Sequence, residues 1–198
     1  MHQIPTLDTE RLSLRGFTEN DLTAVYKIFS DETVNRFLPW FPLRSSEEAD
    51  TFYRERLAND GRSGAYRYAV CLKSDPSPIG YISVSVDDSH DLGYGLLPAY
   101  WHRGFVTEAA GAVIRQLRRD GIPYITATHD IHNPRSGAVM RRLGMRYQYT
   151  YEEQWMPKNF PVTFRMYQLN FQEGDKGVYK KYWNDSAIRF VESDPLLS

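Results

Sequence analysis

The chain has 198 residues, with 24 Lys and Arg against 25 Asp and Glu, a formal charge of -1. That length suffices for one domain with a real core, or one domain plus an appendage. Near-zero net charge argues against electrostatically driven nucleic-acid or membrane binding, and no apolar stretch is long enough to cross a bilayer. The single cysteine, Cys71, cannot close an internal disulfide. Together with an opening that lacks the basic-then-apolar pattern of a secretory leader, this predicts a cytoplasmic protein.

The alternation in Arg11-Leu12-Ser13-Leu14-Arg15 predicts a half-buried strand. Asn20 or Asp21 is placed to cap a helix carrying Leu22, Val25, Tyr26, Ile28 and Phe29. Phe37-Leu38-Pro39-Trp40-Phe41-Pro42 is apolar but broken by prolines, so it reads as neither helix nor central strand. Ser45 or Ser46 with Glu48 starts a second helix reaching about Ala58, and residues 61–64 read as a turn. Strands are expected over 67–72, 79–86 and 92–97, separated by turn chemistry at 75–78 and 87–90. Connections that short make antiparallel neighbours. Cys71 lies inside the first of these and is expected to be a buried strand residue.

After Gly104 the apolar set Val106, Ala109, Ala110, Val113 and Leu117 falls on one helix face, and Gly121 ends that helix. A strand over 124–128 follows. Asn133 caps the next helix, Pro134 takes its first position and Gly144 stops it. The last strands are placed at 147–151 and 163–169. Residues 172–177 are the best linker, and the aromatic tail beyond them is expected to pack on the domain or on a second subunit. This divides the chain into a domain over 1–171 and a tail over 172–198. The order predicts an α+β, or mixed α/β, protein with a largely antiparallel sheet.

The most informative stretch is Trp101-His102-Arg103-Gly104-Phe105-Val106-Thr107-Glu108, between a strand and a helix. The first helical turn has unpaired N–H groups and the positive end of the dipole, and Gly104 lets an anion approach the backbone. Read alone, this is a generic phosphate seat or a tight junction with no ligand.

Three segments together resemble the GNAT superfamily of N-acetyltransferases, on the ribosomal-protein N-terminal acetyltransferase side. They are Leu7-Asp8-Thr9-Glu10-Arg11-Leu12, the stretch from Gly93-Tyr94-Gly95-Leu96 to Glu108-Ala109, and the stretch from Asn133-Pro134-Arg135-Ser136 to Leu143-Gly144-Met145. The resemblance implies a twisted, mostly antiparallel sheet splayed after its fourth strand, with helices on both faces. The family's pyrophosphate pattern is Gln or Arg, two residues, Gly, one residue, then Gly or Ala. It falls here on Trp101, Gly104 and Val106, so the first and last positions depart from it. By the same resemblance His102, Arg103, Gly104, Val106 and Thr107 hold the diphosphate of acetyl-CoA. Leu96 and Leu97 pair with its pantetheine arm, and Gly95 suits a bulge or a close approach. Asn133 and Ser136 lie near the thioester, both as cofactor contacts and as the catalytic pair, while Arg141 and Arg142 either reach the 3′-phosphate or, as is commoner for such residues, are solvated helix-face charges.

Many members carry a tyrosine general acid seven residues after the asparagine; here that position is Met140, and Ser136 is the expected substitute. Base candidates are Glu152, Glu153, His90, Asp91 and His129. A free α-amine with a pKa of about 8 is partly neutral at pH 7, whereas a lysine near about 10.4 must give up roughly 4.6 kcal/mol. A site without an evident base therefore suits an N-terminal α-amine or a small amine. Phe37, Trp40 and Trp155 are the expected acceptor contacts. No metal, nucleic acid or membrane is implied, and a homodimer is compatible with the aromatic tail. Two other readings stay open: a catalytically weak GNAT-like acyl-CoA-binding module acting through partners, and a nucleotide-binding domain of another class.

Overall fold

The computed structural model describes residues 4–58 and 65–193, so the turn expected at 61–64 lies outside the described residues. A five-stranded sheet contains β1 (Leu7–Asp8), β2 (Leu12–Gly16), β3 (Tyr66–Leu72), β4 (Asp75–Val84) and β5 (Leu92–Leu96), paired in that order. A four-stranded sheet contains β6 (Tyr124–Asp130), β7 (Arg146–Trp155), β8 (Phe160–Asn170) and β9 (Arg189–Phe190), in the order β6-β8-β7-β9. All named pairings are antiparallel. The two sheets touch through one parallel bridge, Asp91 with Thr126, and part beyond it. Counting β2 as the first of the strands read from sequence, the separation follows the fourth, as the resemblance implies.

The period-two pattern of β3 explains why helices lie on both faces. Tyr66, Tyr68 and Val70 pack with α4 (Phe105–Arg119). Ala69 and Cys71 pack with α1 (Leu22–Ser30) and α3 (Ser46–Phe52) on the other side. Cys71 is buried there, and desolvation pushes its thiol up to about 11, the opposite of an activated nucleophile.

Several boundaries differ from the sequence reading for physical reasons. The first helix is preceded by a single 3₁₀ turn, and its lead-in is organised by Asp21. That carboxylate accepts from the Thr18 N–H at 2.8 Å, from Thr18 Oγ1 at 3.0 Å, and from both Arg15 nitrogens at 2.7 and 2.8 Å. Asp21 therefore serves the core more than it caps. A short α2 (Glu32–Asn35), capped by Asp31, was not legible from periodicity. Ser45 does cap α3, accepting from the Glu48 N–H at 3.2 Å, but the last turn, Tyr53–Leu57, is a π-helix. Residues 75–78, expected as a turn, belong to β4: register shifts on either side of Cys71 absorb the prolines against β3. The strands placed at 147–151 and 163–169 run on to Trp155 and back to Phe160, so most of the stretch between them is a hairpin.

The tail packs on its own chain. Tyr149 Oη donates to the Tyr179 carbonyl at 2.7 Å, the Tyr179 N–H donates to Gln168 Oε1 at 2.8 Å, and Arg165 pairs with Glu192 at 2.7 Å. Tyr179, Tyr182 and Trp183 then cover Tyr149, Tyr151, Val162, Phe164 and Met166 on the second sheet.

Candidate active site

Where β5 leaves β6, a cavity of about 1330 Å³ opens between the sheets. The loops after β5 and β6, the residues following α2 and the β7–β8 hairpin surround it.

On one side the chain turns from β5 into α4. Gly104 has φ 76°, a left-handed conformation that favours glycine, and it offers no side-chain cap to the amides that follow. The first helical bond is the Glu108 N–H to the Gly104 carbonyl at 3.0 Å, so the amides of Phe105, Val106 and Thr107 precede the helical ladder. The N-terminal segment fixes this turn. Glu108 accepts from Thr9 Oγ1 at 2.6 Å, from the Arg11 N–H at 2.9 Å and from Arg11 Nε at 2.7 Å. Arg11 Nη1 also donates to the Arg103 carbonyl at 3.0 Å. The first two segments singled out in the sequence thus meet at the turn.

The two departures from the pyrophosphate pattern have structural explanations. The Trp101 indole N–H donates to the Leu96 carbonyl at 2.6 Å, tying the turn to the strand edge, and the Arg135 guanidinium sits 5.7 Å from its ring. Val106 packs against the core through its side chain, and its backbone N–H stays in the first helical turn.

β5 itself separates the two leucines. The Leu97 N–H donates to the Ile79 carbonyl at 2.9 Å, so it is engaged by β4. By the two-residue alternation of an antiparallel pair, the amides of Leu96 and Tyr94 point to the opposite edge, into the splay. Leu97 therefore does not supply a free amide, and Leu96 is the better placed of the two. Gly95 is not at a bulge, because pairing with β4 is regular there. Its close neighbour is the Tyr81 ring, 2.5 Å from where a Cβ would stand.

On the far side of the splay, Asn133 Oδ1 accepts from the Ser136 N–H at 3.4 Å and caps α5 (Pro134–Arg142). Ser136 lines the cavity with a partner that sequence reasoning missed. Tyr94 Oη lies 2.8 Å from Ser136 Oγ and donates to the Ser136 carbonyl at 2.9 Å. Met140 is buried in the core. A phenol does stand in the site, but it comes from β5. The available signal was the alternation that puts residues 92, 94 and 96 on one face. Arg141 is used differently from expectation, donating to Tyr167 Oη at 3.3 Å, while Arg142 lines the cavity.

The five base candidates separate cleanly. Asp91 immediately precedes β5 at the bridge to β6, accepts from Thr126 Oγ1 at 3.2 Å and lines the cavity. Burial pushes its carboxyl up to about 7. Glu153 lines the cavity beside Tyr151 and Trp155, one face of β7 by period two, and desolvation raises its pKa as well. Glu152 faces the other way, with its backbone tied to Ser186. His90 packs on Tyr124 outside this cavity. His129 lines the cavity, yet its Nδ1 bonds the Asp130 carbonyl at 2.8 Å, its Nε2 has no partner, and burial lowers its pKa, so it stays neutral.

The His129 ring also sits against α5: a Cβ on Gly137 would lie 2.5 Å from Nε2. Gly137→Ala is expected to destabilise the fold by about 1–3 kcal/mol through overpacking. Urea unfolding would read this as a lower midpoint at unchanged slope.

Phe37, Trp40 and Trp155 all line the cavity. Trp40 also packs on Phe52 at 5.4 Å, so it serves core and cleft together. Buried Asn35 organises this wall. Its Oδ1 accepts from Trp40 Nε1 at 3.2 Å, and its carbonyl accepts from Lys158 Nζ at 3.0 Å, which joins the hairpin tip to the loop after α2. Among the described residues, no group of three His, Cys, Asp or Glu could hold a metal ion, and no helix is long and apolar enough to cross a membrane.

A strand splayed from its neighbour beside an uncapped glycine turn and a helix N-terminus is an arrangement suited to an extended, phosphorylated ligand. The GNAT acetyltransferase domain model matches residues 11–146, and the chain belongs to that family. It is an N-acetyltransferase with acetyl-CoA as donor. An uncharacterised N-acetyltransferase of Bacillus subtilis, YnaD, is 28% identical over 144 residues, covering 71% of this chain and 82% of its own. A GNAT-family acetyltransferase from Bacillus anthracis superposes with a TM-score of 0.72 at 24% identity, covering 84% of this chain and 98% of its own. A Salmonella typhimurium acetyltransferase that modifies the N-terminal serine of ribosomal protein L7/L12 superposes with a TM-score of 0.74 at 17% identity, covering 85% and 100%.

Proposed function

We propose that this enzyme acetylates a primary amine, an N-terminal α-amine or a small amine, by direct attack with both substrates bound. The observation that carries this reading is that two proton-handling groups line one cavity at the splay, one just before β5 and one within it. Asp91 is the first, and Tyr94, bonded to Ser136, stands three residues on. The similarity to an enzyme that acts on an N-terminal serine supports an α-amine.

The donor side fits acetyl-CoA on this chain's own geometry. The amides of residues 105–107, with His102, Arg103 and Gly104, make the diphosphate seat, and the free edge of β5 at Leu96 and Tyr94 makes the seat for an extended arm. Bound there, acetyl-CoA supplies a thioester carbonyl. The Leu96 N–H is the donor for its oxygen as negative charge develops. Asp91, ionised, accepts one proton from the attacking amine. The nitrogen bonds to the carbonyl carbon, the carbon–sulfur bond breaks, and the sulfur takes a proton from the Ser136–Tyr94 pair. Burial raises the Tyr94 pKa and keeps its phenol protonated until that moment. Asn133 positions Ser136 by holding the start of α5.

Two measurements test this. Acetyl-CoA at a hundred times its Kd should stabilise the protein by about 2.7 kcal/mol, a shift of roughly 5–10 °C, and ATP or NAD should not. With acetyl-CoA, peptides with free N-termini and small amines should be acetylated faster than internal lysines. Efficient acetylation of internal lysine alone, or acetyl-CoA binding with no transfer to any amine, would overturn the reading.

A further inference from the structure

The acceptor end of the cavity has a wall that the family match does not include. The matched region is 11–146, yet Tyr182 of α6 (Lys181–Asp185), in the tail, lines the cavity with Asp91, Tyr151, Glu153, Trp155 and Phe164. Tyr182 stacks on Tyr151 with centroids 5.3 Å apart and planes at 11°. Trp155 meets Phe164 edge-on at 5.1 Å, and Phe164 lies 5.7 Å from Tyr151, so the rings form a continuous surface.

The tail holds its tyrosine there by directional bonds. Ser186 Oγ donates to the Glu152 carbonyl at 2.8 Å and accepts from the Glu152 N–H at 3.2 Å, and β9 pairs with β7 at Thr150 and Tyr151. Lys180, the cation just before α6, is turned onto Trp183 and Tyr149 instead of the cavity. On the facing wall, Arg36 and Arg56 lie over Phe37 and Trp40 at 5.2 and 5.3 Å. Asp91 and Glu153 thus share their wall with Tyr151, Trp155, Phe164 and Tyr182, while the arginines of the facing wall lie on its rings.

We propose that Tyr182 is a specificity-determining residue, completing an aromatic and carboxylate box that selects a cationic amine by its charge and its apolar attachment. Ring faces attract a cation electrostatically, and nearby carboxylates add to that attraction where water is partly excluded. An ammonium group is drawn in as the charged form and loses its surplus proton to solvent, which leaves Asp91 ionised to take the second proton during attack. The proposal rests on reading this cleft as the acceptor site.

The test uses the full chain saturated with CoA and, as a probe, benzyltrimethylammonium, a cation with no N–H to acetylate; benzyl alcohol is the neutral control. Calorimetry should show binding of the cation and not of the alcohol. Tyr182→Ala and the volume-filling Tyr182→Leu should weaken it on the order of tenfold, Tyr182→Phe should retain it, and the CoA Kd should not move. In turnover, the leucine variant should raise the amine KM by a similar factor with kcat within about twofold. Equal cation binding by wild type and Tyr182→Leu, or none by wild type, would overturn the proposal. Normal amine turnover in all Tyr182 variants sinks the box and leaves the proposed reaction standing. Tyr182-dependent cation binding without any acetyl transfer sinks the reaction and leaves the box.

Discussion

Asp91→Asn is expected to lower kcat/KM for the amine by about 10²–10³-fold at pH 7, the size of a general-base contribution, with the acetyl-CoA Kd unchanged. The pH profile gives this a sign. Desolvation places the Asp91 carboxyl at about 7, so below that pH it is protonated and cannot accept the amine's proton. An α-amine of pKa about 8 is itself protonated below that value. Log kcat/KM should therefore rise with slope two below about pH 7, slope one up to about 8, and then level. The asparagine variant keeps the Thr126 contact geometry but should show only the amine's single inflection. If it retains the inflection near 7, the base lies elsewhere, and Glu153 is the next group to replace.

Linkage supplies an independent reading from stability. Asp91's folded pKa is raised from 3.8 to about 7, so the folded state binds more protons in that window and loses stability as pH rises through it. Asp91→Asn should then stabilise the protein more at pH 8 than at pH 4, in the absence of any substrate.

The second large effect is expected at the leaving-group side. Tyr94→Phe should lower kcat by about 10–100-fold, and Ser136→Ala by a similar factor. The two oxygens are 2.8 Å apart and share one proton path, so the double variant should cost little beyond either single one. The mechanism is separable from a packing defect by changing the leaving group. An acetyl thioester of a more acidic thiol needs less protonation, so it should narrow the gap between wild type and Tyr94→Phe. A gap that stays constant would assign Tyr94 a structural role.

Much of the architecture is carried by local patterns. Alternation through β3 specifies which residues face α4 and which face α1, and the helical spacing after Gly104 specifies the buried stripe of α4. Asn133 and Pro134 declare the start of α5, where a cap and a missing N–H are both useful. The errors fall where tertiary pairing overrides local preference. Residues 75–78 carry turn chemistry but are held as strand by β3 across register shifts, and 152–155 continue β7 because β8 pairs with them. Proline and glycine report local backbone preference, and a sheet partner outweighs it with a ladder of hydrogen bonds.

The proposed donor site was legible in the sequence because it is made by contiguous chain: a strand, a turn and the first turn of a helix, whose amides bind anions whatever the side chains. The sequence alone thus determined the family and the splayed sheet, and it marked the turn proposed here as the seat of the diphosphate. The proposed acid and base belong to another category. Asp91 is activated only by desolvation at the β5–β6 bridge, and Tyr94 becomes a candidate acid only because α5 brings Ser136 against it. Tyr182 reaches the cavity only because the tail folds back on β7. Burial, proton affinity and long-range contact are properties of the assembled structure, since each depends on groups from distant segments, and no local spacing encodes them.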